Sequence, residues 1–153
     1  MVAAAVGYSR LVSTDALFGL LTSHHLGALA TIQADGRPHL SNVSYTFDPN
    51  TRLIRISVTD SRVKVRNLRR DPRASFHVSS NNGWSYVVAE GVGELSAVAA
   101  DPNDATVEEL IEVFRAIQGE HPDWQEYREA MVADKRIVLR IPVERVYGAA
   151  GSG

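Results

Sequence analysis

The densest set of basic side chains lies between residues 59 and 75, in the stretch TDSRVKVRNLRRDPRAS. An Arg side chain can bind two oxygens of a phosphate through its planar fork, and a Lys side chain adds a compact positive charge. The stretch therefore predicts a site for an anion, and phosphate fits its chemistry best. Six of the sixteen Lys and Arg residues of the chain fall within it: Arg62, Lys64, Arg66, Arg69, Arg70 and Arg73.

Arg62 and Lys64 are the two cations best placed to bind this anion. The basic stretch directly follows a predicted strand and is typical of a short helix, with Ser61 as N-cap and Pro72 as its stop. The free amides at the start of a helix already attract anions. On the preceding strand, Ser57 offers a hydroxyl donor nearby. The later arginines are also compatible with a solvated helical face.

Other catalytic chemistries find little support in the sequence. The chain has no Cys, which excludes thiol catalysis and zinc-thiolate sites. Its five His residues lack the spacing of metal ligands, and no nucleophile elbow or P-loop is present, so we predict no metal and assign no catalytic residue. The GVG at residues 91–93 lacks a third Gly and predicts a bulge or a close backbone approach within a strand.

Length and composition indicate one soluble domain. The chain has 153 residues, of which 44% are hydrophobic, and its net charge is -2. We expect a single domain over 1–153, with a core at about 13–148 and flexible ends. The acidic balance argues against a nucleic-acid partner. No segment is apolar enough for a membrane span, and the first ten residues do not resemble a signal peptide, so we expect a cytoplasmic protein without a membrane partner.

Hydrophobic periodicity predicts a mainly antiparallel fold. A helix should begin near Ser13, Thr14 and Asp15, which all carry cap-type oxygens, and two more helices should cover about 101–119 and 122–131. Strands linked by hairpin turns indicate an antiparallel barrel or an α+β sandwich. The six predicted strands have the sequences LGALATIQ, HLSNVSYTF, RLIRISVT, RASFHVSS, WSYVVAEGVGELSAV and RIVLRIPVERVYG.

Four ordered segments resemble a known family. LGALATIQADGRPHLSNVSYTFDP, SVTDSRVKVRNLRRDPRAS, GWSYVVAEG and RIVLRIPVERVYG are similar to the actinobacterial, deazaflavin-dependent branch of the pyridoxamine 5'-phosphate oxidase-like, FMN-binding split β-barrel proteins. The resemblance covers about residues 15–148. It implies a mainly β fold with α, a six-stranded antiparallel Greek-key-like split barrel with peripheral helices. It also implies a homodimer with cofactor sites at the interface.

The same resemblance implies which residues bind the cofactor. Arg62 and Lys64 would hold its phosphate, assisted along the chain by Ser57. Trp84 would reach the site from the neighbouring subunit, although core packing or a dimer seam is the commoner role for a large aromatic residue. The complete set of implied cofactor-binding positions is His39, Asn42, Ser57, Val58, Arg62, Lys64, Asn67 and Trp84.

The function implied is that of an oxidoreductase that transfers a hydride from reduced coenzyme F420 to a small unsaturated acceptor. Arg55, Arg66 or Arg70 would then contact the polyanionic tail of F420. The proton donor is left open among Tyr45, Tyr86 and His39. Since FMN carries a similar phosphate, an FMN-dependent oxidoreductase is one alternative, and a non-catalytic F420-binding protein is another. A nucleic-acid binder is a fourth hypothesis, of another class.

Overall fold

The computed structural model describes residues 13–150. The first ten residues, to which the signal-peptide interpretation applied, and most of the expected flexible ends before residue 13 and after residue 148 lie outside this range; of the latter, residues 149–150 are described, and Ala149 pairs with Tyr86. Four helices are present within it: α1 Thr14–Ser23, α2 Val63–Arg70, α3 Ala105–Gln118 and α4 Trp124–Ala133. The strands are β1 Leu26–Ile32, β2 Pro38–Ser44, β3 Thr46–Asp48, β4 Leu53–Thr59, β5 Arg73–Ser79, β6 Tyr86–Val92, β7 Glu94–Leu95 and β8 Arg136–Ala149.

The strands form one curled antiparallel sheet in the order β2-β1-β5-β6-β8-β4-β3, with β7 beside β8. Strand β8 joins the two halves, because its first part pairs with β4 and its second part with β6. This architecture confirms the predicted mainly β split barrel. The predicted number of six strands is wrong: the six long strands are present, and β3 and β7 are two short additions. None of the described helices is both long and apolar enough to cross a membrane.

Strand β3 is separate because Tyr45 interrupts the predicted strand HLSNVSYTF. The Tyr45 ring is fully buried and lies 4.7 Å from the Phe76 ring, edge to face. Its hydroxyl donates to the Leu21 carbonyl at 2.7 Å, which attaches α1 to the barrel. Of the three predicted cap-type residues, Ser13 is the N-cap of α1, since its hydroxyl accepts from the Ala16 amide at 3.1 Å.

The GVG segment behaves as the sequence predicted. The pairing of β6 with β8 shifts register between Glu90 and Gly91. A Cβ at Gly91 would collide with the Pro142 carbonyl oxygen, so only glycine permits this approach of the two backbones. The shift lies where β8 passes from one partner strand to the other, and it therefore helps the sheet to curl.

Helices α3 and α4 cover one side of the sheet through a second, smaller core. Leu110, Ile111 and Val138 are buried there with Tyr127 and Met131. Polar contacts fix the helix positions further: Glu109 of α3 forms an ion pair with Arg140 of β8, with Nε to Oε2 at 2.8 Å. The side of α3 that extends past this core forms a wall of the cleft described next.

Candidate anion-binding cleft

A cleft of about 600 Å³ lies where the barrel is split. Strand β2 and the end of β4 form one side, the start of α2 forms the cationic end, and α3 and α4 form the opposite wall. Six of the eight predicted cofactor-binding residues line it: His39, Asn42, Ser57, Val58, Arg62 and Lys64.

The start of α2 differs in detail from the prediction. The N-cap is Arg62 rather than Ser61, and it makes no side-chain capping hydrogen bond. The Arg62 amide donates to the Thr59 carbonyl at 3.1 Å, and this turn after β4 moves the helix start one residue along the chain. As a result, no side-chain oxygen competes with an external anion for the first amides of the helix.

Three cations gather in this part of the cleft: Arg62, Lys64 and Arg136. Burial is the main cause that lowers the pKa of Lys64, and the charges of Arg62 and Arg136 lower it further. Within residues 13–150, neither Arg62 nor Lys64 forms an ion pair. Neighbouring positive charges without a counter-ion disfavour the charged form of Lys64. A bound anion would favour that charged form and raise the pKa of Lys64 again.

Hydroxyl groups on the two strands complete the polar corner. The Lys64 ammonium donates to the Ser41 hydroxyl of β2 at 3.1 Å. On the neighbouring strand β8, Nη1 of Arg136 lies 3.5 Å from the Ser57 hydroxyl of β4. Ser41 and Ser57 therefore hold two of the three cations in place and remain close to any anion that these cations bind.

His39 and Asn42 lie on β2 beside this corner. Nδ1 of His39 is buried and has no hydrogen-bond partner within the described part of the chain. The Val58 side chain is buried in the barrel core although the residue lines the cleft. The strand side of the cleft thus offers one unpaired ring nitrogen and an exposed amide to a bound ligand.

Two predicted positions do not reach this cleft. Asn67 is buried, where its Nδ2 donates to the Thr31 hydroxyl at 3.1 Å and its Oδ1 accepts from Arg70 at 2.9 Å. Its polar atoms are engaged inside the chain, and this placement does not support contact with a ring. Trp84 lies in the β5–β6 turn with 79% of its surface exposed. Its predicted role requires a second subunit and stays a prediction.

The arginines expected at a cofactor tail are engaged within the chain. Nη1 of Arg55 lies 2.8 Å from Glu112 and 3.6 Å from Glu109. Arg70 donates to the Ile32 carbonyl at 2.9 Å, and Arg66 donates to the Ser61 carbonyl at 3.3 Å. Arg55 thus helps to attach α3 to β4, and its placement does not support a role at the tail.

Of the three proton donors considered from the sequence, only His39 lines the cleft. Tyr45 lies in the barrel core, and burial raises the pKa of its hydroxyl far above the ordinary value. The Tyr86 ring stacks on the His77 ring at 5.6 Å, on the β5–β6 hairpin. Of the three residues considered, only His39 is therefore placed in this cleft as a candidate proton donor.

Sequence reasoning missed the helical wall and the third cation. Phe114 of α3 and Tyr127 of α4 lie with ring centroids 5.1 Å apart. The Tyr127 hydroxyl donates to the Leu110 carbonyl at 3.0 Å, and burial raises its pKa to about 12, so it remains a neutral part of the wall. Five apolar or aromatic residues of α3 and α4 face the cleft: Val113, Phe114, Ile117, Tyr127 and Met131.

Comparison of the sequence with models of known protein families gives a match over nearly the whole described chain. The family model described as pyridoxamine 5'-phosphate oxidase matches residues 13–149. The chain belongs to the pyridoxamine 5'-phosphate oxidase family. The match spans every described strand and helix, including all residues that line the cleft. The family resemblance found in the sequence is thereby confirmed.

Individual relatives within and around the pyridoxamine 5'-phosphate oxidase family are similar over nearly the full chain. An F420H(2)-dependent biliverdin reductase of Mycobacterium tuberculosis is 31% identical over 147 residues, which are 96% of this chain and 95% of that protein. A conserved hypothetical protein of Mycobacterium tuberculosis has a TM-score of 0.70 at 27% identity, covering 91% of this chain and 85% of the other. A structure named F420 reductase shares the fold, with a TM-score of 0.61 at 22% identity over 84% of this chain and 93% of that one.

Proposed function

We propose that this protein is an F420-dependent oxidoreductase that passes a hydride from the reduced deazaflavin to a small unsaturated acceptor. The observation that carries the proposal is the corner where Arg62 and Lys64 lie together without a carboxylate partner among the described residues. The F420H(2)-dependent relative, 31% identical to this chain, supports deazaflavin as the cofactor. The acceptor is proposed only as a class.

The residues of the corner fit the phosphate of such a cofactor. Arg62 offers a planar fork, Lys64 offers an ammonium whose pKa is lowered by burial and by the charges of Arg62 and Arg136, and the uncapped start of α2 offers amides. Ser41 and Ser57 can donate hydroxyl hydrogens once a phosphate oxygen is present. These five features converge on the same end of the cleft.

The ring of the cofactor would then lie along β2, against His39 and Asn42. When bound, the reduced deazaflavin supplies a hydride, and the acceptor gains that hydride and one proton while the cofactor loses two electrons. The chain itself binds, orients and shields the reactants. Of the three proton donors considered from the sequence, His39 is the one that lines this cleft and could take part in such a proton transfer.

A homodimer with cofactor sites at the interface forms part of the proposal. The cross-strand pairing aligns Asn42, Ala28, His77, Val88 and Tyr147 in one row across the outer face of five strands. The exposed side chains Leu26, Leu40 and Tyr147 are distributed over strands of the same face. Asn42 belongs both to this row and to the cleft, so a second copy seated there would meet the cofactor site.

The cofactor is tested by titration with oxidised F420 and with FMN, each followed by quenching of the fluorescence of Trp84 and Trp124. The proposal expects F420 to bind at least tenfold more tightly, and it expects the F420-loaded protein to reduce members of a panel of quinones, enones and nitro compounds. Tighter binding of FMN would favour the second candidate, an FMN-dependent oxidoreductase, for which the family match is the supporting observation. F420 binding without turnover would identify a non-catalytic carrier.

A cytoplasmic location and the absence of nucleic-acid and membrane partners stay predictions.

A further inference from the structure

Arg136 is a third cation of the cleft, and the charge of a single cofactor phosphate does not account for it. Arg62 and Lys64 already provide two positive charges at the start of α2, whereas a phosphodiester carries one negative charge. Arg136 is the first residue of β8, and its backbone pairs with Thr59 at the end of β4. The guanidinium thus enters the cleft from the start of β8, beside the end of β4 and next to the phosphate corner.

The contacts of Arg136 leave part of its guanidinium without an acceptor. Its Nε is buried and makes no hydrogen bond within residues 13–150. The nearest carboxylate oxygen, Oδ2 of Asp134, is 3.7 Å away, beyond hydrogen-bond distance, and the Asp134 side chain is 55% exposed. The remaining contact, from Nη1 to the Ser57 hydroxyl, is at the limiting distance of 3.5 Å. A buried donor without an acceptor is costly, and an oxyanion would satisfy it.

Arg136 also lies between the two different parts of the cleft, the cationic corner and the apolar wall of α3 and α4. On one side its charge acts on Lys64, and on the other side it acts on the hydroxyl of Tyr127. It therefore lies between the cationic corner and the wall that contains Phe114 and Met131. A molecule with an apolar ring against that wall would present an acidic substituent directly to Arg136.

We infer that Arg136 is a specificity-determining residue that binds the carboxylate of an anionic, ring-containing acceptor. The inference rests on the proposed function, because it assigns the acceptor side of the same cleft. It names a class of substrate: an unsaturated ring compound that carries an acidic side chain. The phosphate of the cofactor remains with Arg62 and Lys64.

The test compares two acceptors that share one ring system, 2-methyl-1,4-naphthoquinone and its derivative with a propionate at position 3. The variant Arg136→Met should raise KM for the propionate derivative by about 10- to 100-fold, the loss expected for one charge-assisted contact. The variant should leave KM for the neutral quinone and Kd for F420 within about twofold. Arg136→Lys should recover part of the discrimination, because it restores the charge without the fork. Arg37→Met removes a charge from the exposed β1–β2 turn and should change none of these values.

The outcomes separate this inference from the proposed function. If wild-type protein does not bind F420, the proposed function fails first. If wild-type protein binds F420 and Arg136→Met weakens that binding tenfold or more, the guanidinium serves the cofactor phosphate or tail and the inference is wrong. Equal losses for both quinones, or equal KM values for the propionate derivative in wild type and Arg136→Met, also overturn it. Where the wild type reduces neither quinone, Kd values of both compounds for the F420-loaded protein replace KM, with the same expected pattern.

Discussion

The ammonium of Lys64, at the start of α2, donates a hydrogen bond to the hydroxyl of Ser41 on β2 at 3.1 Å. This contact joins the basic helix to the edge strand across the split of the barrel. It holds the ammonium in the cleft, close enough to Arg62 and Arg136 for their charges to lower its pKa. The protein thus keeps a partly buried cation in a position that becomes favourable once an anion binds.

A dependence of cofactor binding on pH follows from Lys64. Burial first, and then Arg62 and Arg136, lower its pKa below the ordinary value of 10.5. Between the lowered pKa and 10.5 the unfolded chain binds more protons than the folded one, so this group makes the free energy of unfolding rise with pH across that window.

Phosphate binding requires the charged ammonium of Lys64. We therefore expect the affinity for F420 to fall as the pH rises through the lowered pKa of Lys64, measured by titration calorimetry at successive pH values.

The matched control for this pH dependence is Lys64→Arg. An Arg side chain stays charged throughout the alkaline range, so the variant should lose the alkaline decrease in affinity. A decrease of the same size in wild type and variant would assign the titration to another group.

The outer face of the sheet should form the dimer interface. Leu40 is 67% exposed at the centre of edge strand β2. Replacement of Leu40 by Asp would bury a charge in an apolar interface, so we expect monomers in sedimentation equilibrium and loss of F420 affinity in the same variant. Ala16→Asp, at an exposed position in the first turn of α1, should leave both properties unchanged. A monomeric wild-type protein that binds F420 normally would contradict the interface.

The Glu109–Arg140 ion pair should stabilise the wall of the cleft. Its Glu109 side chain is only 17% exposed, whereas the Arg37–Asp35 pair is at 4.0 Å with both side chains mostly exposed. A double-mutant cycle with Glu109→Gln and Arg140→Met should give a coupling of about 0.5–3 kcal/mol in thermal or urea unfolding. The equivalent cycle on Arg37 and Asp35 should give about 0–1 kcal/mol. Equal couplings for the two pairs would show that the Glu109–Arg140 pair adds no more stability than an exposed pair.

Two glycines should respond to alanine with opposite sign. Gly91→Ala places a Cβ against the Pro142 carbonyl oxygen, and we expect a loss of about 1–3 kcal/mol in the free energy of unfolding. Gly19 is in the middle of α1 with open space around it, so Gly19→Ala should gain about 0.5–1 kcal/mol. Urea unfolding of the two variants measures both values. A neutral Gly91→Ala would mean that β6 and β8 do not approach as closely as the structure shows.

Local patterns in the sequence were sufficient to predict the long strands, the cap of α1 and the position of the basic helix. The Ser13 cap depends on residues that are close in sequence, and it is confirmed. The close backbone approach at Gly91 depends on the lack of a side chain, and it is also confirmed. The N-cap of α2 was displaced from Ser61 to Arg62 because a turn contact to Thr59 determines where that helix begins.

The residues missed in the cleft depend on contacts between distant parts of the chain. Arg136 reaches the site because β8 pairs with β4 in a register that brings it opposite Thr59, and no local pattern specifies that register. Phe114 and Tyr127 are typical core residues of amphipathic helices, and only the docking of α3 and α4 turns part of that surface towards the cleft. Asn67, predicted beside the cofactor ring, donates a hydrogen bond to Thr31 of β1, a contact between distant segments that no local pattern specifies.

The most direct test of the phosphate corner compares F420 with a deazaflavin that has the same ring and ribityl chain but lacks the phosphate and the tail. Titration calorimetry of wild type and of Arg62→Met/Lys64→Met gives four dissociation constants. We expect wild type to prefer F420 strongly, and we expect the double variant to lose about 3–6 kcal/mol of that preference, for two charge-assisted contacts. An undiminished preference for F420 in the double variant would contradict the assignment of the phosphate to Arg62 and Lys64.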